Sequence, residues 1–64
     1  MFAPTLAEMV KEAEREVVLR KRVYPRWIAS KKMKPATAER QIQVMEAIAA
    51  TLAKLAAEES VQPR

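Results

Sequence analysis

From residue 38 to residue 56, apolar side chains fall at alternating intervals of four and three: Ala38, Ile42, Met45, Ala49, Leu52 and Ala56. That spacing is the seam of a helix packing lengthwise on another helix. Val44, Ile48 and Leu55 lie on its flank. Six alanines among residues 47–57 add helix propensity and allow close approach of a neighbour. The spacing predicts a helix over about 35–58, with Pro35 at the first helical position, where a missing amide costs nothing. Lys34 before it offers no side-chain acceptor for a cap. Glu58 and Glu59 oppose the helix dipole, so a loose tail is expected over 60–64.

A second helix opens at Thr5-Leu6-Ala7-Glu8, a capping box in which hydroxyl and carboxylate serve each other's backbone amides. Leu6, Met9/Val10, Ala13, Val17 and Tyr24 continue its apolar stripe. Val18, Leu19 and Val23 widen the stripe beyond the width of one partner helix. Glu16 and Arg20 form an i,i+4 pair. Because proline disfavours the α region in the residue before it, Pro25 predicts an end near Val23, giving a helix over about 6–23. A short helical turn over about 25–30 and a connector over 31–34 would follow.

Composition narrows the function classes. The chain has no Cys, His, Gly, Asp or Asn among its 64 residues. Disulfides, the usual zinc ligand sets, Ser-His or Cys-His pairs and glycine-rich phosphate loops are therefore out of reach. No cofactor and no catalytic residue are expected, and the chain reads as a non-enzyme. Glu12 with Glu16, and Glu58 with Glu59, look like exposed helix positions rather than an acid–base pair. The longest apolar run is too short to cross a bilayer, and no basic leader precedes an apolar core. The default is a soluble, cytoplasmic protein without a membrane partner.

Seventeen large apolar side chains lie between Leu6 and Leu55, more than a two-helix seam can hide. With no disulfide or metal to add stability, self-association is the remaining route. The expected fold is a single small all-α domain assembling as a homodimeric four-helix bundle with isologous contacts. Leu6, Val10, Val17, Tyr24, Trp27, Ile42, Met45, Ile48, Leu52 and Leu55 are its expected core. The connector leaves two assemblies open, docked hairpins or a domain swap in which each last helix packs on the partner's first.

The segment 20–34 holds seven cations (Arg20, Lys21, Arg22, Arg26, Lys31, Lys32 and Lys34), no acid, and the chain's single Tyr and Trp. With a net charge of +4, it permits binding to a polyanion. Tyr24 and Trp27 either close the end of the helical core or, in Trp27's case, stack on a nucleic-acid base with the cations on phosphates. The methionines read as gap fillers in the core, with a Met-rich peptide groove as the weaker alternative.

Val23-Tyr24-Pro25-Arg26-Trp27-Ile28, with Ala38-Glu39-Arg40-Gln41-Ile42 and Met45-Glu46-Ala47-Ile48, resembles a family of short proteobacterial and phage- or prophage-borne proteins. The resemblance covers roughly residues 12–50 and implies a small all-α protein without an established activity. Similar sequences often carry Gly near Lys31 or Lys32 and a Thr-like cap near Lys34, and this chain departs at both places. The functional expectation is a helical homo-oligomeric interaction or accessory protein. The alternative is a small nucleic-acid-binding accessory factor using Arg20 to Lys34.

Overall fold

The computed structural model describes residues 3–61, which form two helices, α1 (Leu6–Ala29) and α2 (Pro35–Val61), folded back on each other. The capping box forms as the sequence predicts. Thr5 Oγ1 accepts from the Glu8 amide and Glu8 Oε1 from the Thr5 amide, both at 3.1 Å.

The first helix does not stop at Val23. It runs through Pro25 to Ala29, so no separate turn occupies 25–30. Pro25 removes one bond, the one the Lys21 carbonyl would accept, and Lys21 is exposed, so water can serve that oxygen. On either side of the proline, Tyr24 is buried and Ile28 half-buried. Their packing against α2 outweighs the local preference. Pro25→Ala is accordingly expected to stabilise the fold by about 1–3 kcal/mol, raising the urea midpoint. A helix that ended at Val23 would gain nothing.

The connector is a Schellman turn made without glycine. The Lys32 amide donates to the Trp27 carbonyl at 2.8 Å and the Lys31 amide to the Ile28 carbonyl at 3.0 Å. Lys31 has φ 62°, the left-handed conformation that such a turn demands at this position. A side chain with a Cβ costs about 1 kcal/mol or more there. Lys31→Gly is therefore expected to raise the melting temperature by several degrees. The second helix begins at Pro35 as its sequence predicts, with the Lys34 carbonyl accepting from the Ala38 amide. It extends to Val61, so Ser60 and Val61 are helical rather than part of a loose tail. The rest of the expected tail, 62–64, lies outside the described residues.

The seam follows the expected spacing on both helices. Ala38 and Ala49 are buried, and Ile42, Met45, Leu52 and Ala56 are half-buried. Opposite them lie Leu6, Val10, Ala13, Val17 and Tyr24, of which Ala13 and Tyr24 are buried. Arg20 completes this row, at the interval of three after Val17 and four before Tyr24. The core is thin. Among the described residues only Ala13, Tyr24, Ala38 and Ala49 are buried, so a single large side chain carries the interior. The hairpin measures 52 × 25 × 14 Å, one helix thick, with a radius of gyration of 15.0 Å against about 11 Å for a globular chain of this length. It is one layer, whereas stable domains close their core between two.

Candidate interaction surfaces

Polar contacts between the helices divide the hairpin into two broad faces. On one side, Tyr24 Oη donates to Gln41 Oε1 at 3.0 Å and Arg20 Nη1 to the Gln41 carbonyl at 2.9 Å. On the other, Lys21 Nζ pairs with Glu46 Oε2 at 2.9 Å. These three contacts fix which residues lie level with each other along the hairpin.

At 3.6 residues per turn, the Gln41 side of α2 also carries Val44, Ile48 and Leu55, each more than two-fifths exposed. The matching side of α1 carries Met9, Leu19, Val23 and Trp27. Leu19, Val23 and Trp27 line one shallow groove with Glu16, Arg20 and Tyr24. Trp27 stacks on Tyr24 with ring centroids 5.6 Å apart, so its ring extends this surface at the turn end. The opposite face, around Lys21, Pro25, Glu39 and Glu46, includes half-buried Ile28 and Ile42, and exposed Val18 stands at its outer edge on α1.

Of the residues expected to form a dimer core, Leu6, Val10, Val17, Tyr24, Ile42, Met45 and Leu52 are taken up by the seam within one chain. Trp27, Ile48 and Leu55 are exposed. Sequence reasoning assigned Val44 and Leu19 to the flanks but did not place them on one surface, because that requires knowing how the two helices face each other.

The cationic segment also divides. Arg20 lies in the seam, its side chain 25% exposed, and Nε donates to Glu16 at 2.9 Å. Lys21 is engaged by Glu46. Arg22, Arg26, Lys31, Lys32 and Lys34 are exposed, and among the described residues none has an ion-pair partner. Because α1 continues through Pro25, Arg22 and Arg26 stand one turn apart on its outer side, with Arg15 two turns before Arg22. Arg15 pairs with Glu12 at 2.9 Å. This outer ridge was missed in the sequence, where a helix end at Val23 separated Arg26 from Arg22.

Among the described residues no polar or charged side chain is buried, and no cluster of three metal-ligating side chains occurs. None of the helices is long and apolar enough to cross a membrane. No family model, curated protein or solved structure matches the chain.

Proposed function

We propose that this protein is a non-enzymatic interaction module that works as a homo-oligomer of docked hairpins. The observation that carries this reading is the exposed apolar surface formed by Trp27, Val44, Ile48 and Leu55 on a hairpin only 14 Å thick. Burying such side chains yields about 25 cal/mol per Å². A second copy, presenting the same surface, can cover them, as could an unknown protein partner. Docking rather than swapping is favoured by the closed Schellman turn and by Tyr24–Gln41 and Lys21–Glu46, which tie the two helices of one chain together. Sedimentation equilibrium tests it, with a dimer expected at micromolar concentration. A folded monomer there would refute the reading.

A second reading, binding to nucleic acid, draws support from the ridge Arg15, Arg22 and Arg26 continued by Lys31, Lys32 and Lys34 at the turn. These cations lie on the outer side of α1 and the turn, away from the centre of the apolar face, so both activities can coexist. Titration with labelled single-stranded and duplex DNA at low salt is the test. Binding that weakens steeply with added salt supports it, since each phosphate contact releases counterions. No shift at low salt ends it.

A further inference from the structure

The charges on the hairpin are separated lengthwise. Residues 20–40, the turn half, hold eight cations and one glutamate, while the rest of the chain holds four cations and seven glutamates. At the open end Glu8, Glu14, Glu58 and Glu59 are exposed, and at the turn end Arg22, Arg26, Lys31, Lys32 and Lys34 are exposed. With their long axes aligned, two hairpins that share their apolar faces can be related by a two-fold axis in two ways. An axis along the hairpin sets turn against turn and brings the cations together. An axis across it sets each turn against the partner's open end.

The charges point to the second arrangement, which sets basic turn beside acidic open end, and the apolar rows permit it. On α1 the row from Met9 to Trp27 is centred near residue 18. On α2 the row from Val44 to Leu55 is centred between Ile48 and Thr51. The pairings of Tyr24 with Gln41 and Lys21 with Glu46 place residue 18 level with about residue 48. The ends of both rows therefore share a midpoint to within half a turn, which a crosswise axis can use as well as a lengthwise one.

Resting on the self-association reading, we propose that the occupant of this face is a second copy docked turn to open end, α1 on α1 and α2 on α2. Ile48 then meets its own mate at the centre. Trp27 covers the partner's Met9 region, and the basic turn of each hairpin lies at the acidic open end of the other.

The chain has no cysteine, so an introduced thiol reports alone. Under mild oxidation of the intact protein, Ile48→Cys is expected to form a disulfide with its own copy, because α-carbons closer than about 7 Å can be bridged. Should Ile48→Cys fail to dimerise, mixing Gln41→Cys with Leu55→Cys reads the same geometry and is expected to give the mixed product. A turn-to-turn dimer instead links Val23→Cys to Val44→Cys in a mixture and leaves Ile48→Cys unlinked. That result, with a dimer by sedimentation, overturns the orientation while keeping self-association. A dimer in which none of these pairs links overturns the face. A folded wild-type monomer overturns both readings.

Discussion

Ile48→Glu is expected to abolish dimerisation at micromolar concentration and to remove most of the cooperative helical signal with it. The carboxylate would enter the centre of an apolar interface, where an unpaired buried charge costs several kcal/mol. Ile48 is 42% exposed in the single hairpin, so the substitution disturbs little within one chain. About 3 kcal/mol already weakens association by on the order of a hundredfold. In the symmetric dimer proposed above the two carboxylates also face each other, adding repulsion. Ala50→Glu places the same charge away from that surface at an exposed helical position. It is expected to change stability by no more than about 0.5 kcal/mol. Equal loss in both variants would mean that helix charge, rather than a specific face, controls association. Circular dichroism at several protein concentrations separates the outcomes.

The second large effect belongs to Tyr24, 7% exposed and the largest side chain in the seam. Tyr24→Ala removes its packing, its stacking on Trp27 and its bond to Gln41. The packing loss alone is about 3–5 kcal/mol for an aromatic residue. A domain of this size has about that much stability in total, so the variant is expected to be unfolded at room temperature. Tyr24→Phe keeps the ring and loses only the hydroxyl. Its expected cost is about 1 kcal/mol, because the freed amide of exposed Gln41 can turn to water. Urea denaturation of both variants gives the comparison. A Tyr24→Ala protein melting like wild type would show that the alanines of the seam, not the tyrosine, hold the hairpin.

How much of this was legible beforehand follows from how local each signal is. The α2 seam was read residue by residue because six apolar positions repeat one interval pattern without interruption. The capping box was legible because both of its partners lie within four residues. Pro25 misled the reading. Its effect on backbone preference is local and unfavourable, whereas Tyr24 and Ile28, which carry the helix past it, act through contacts with α2. Arg20 was hidden for a related reason. A charged residue breaks an apolar pattern, yet here it fills a seam position by directing its guanidinium to Glu16 and the Gln41 carbonyl.

The turn was obscured by its residue type. A left-handed position normally announces itself as glycine, and this chain places Lys31 there. The candidate surface was only half visible. Each flank could be listed from one helix, but their union depends on the register that Tyr24–Gln41 and Lys21–Glu46 impose across 17 and more residues. Splitting of the cationic segment into engaged and free members depends on the same register. Arg20 and Lys21 sit beside the seam, and Arg22 and Arg26 point away from it.

Thermal unfolding of the wild-type protein followed across a hundredfold range of concentration tests the central claim most directly. If a second hairpin completes the core, folding and association are coupled, and the melting temperature rises steadily with concentration. A melting temperature that stays fixed across that range, with full helical content at the lowest concentration, would contradict it. The single layer would then be sufficient on its own.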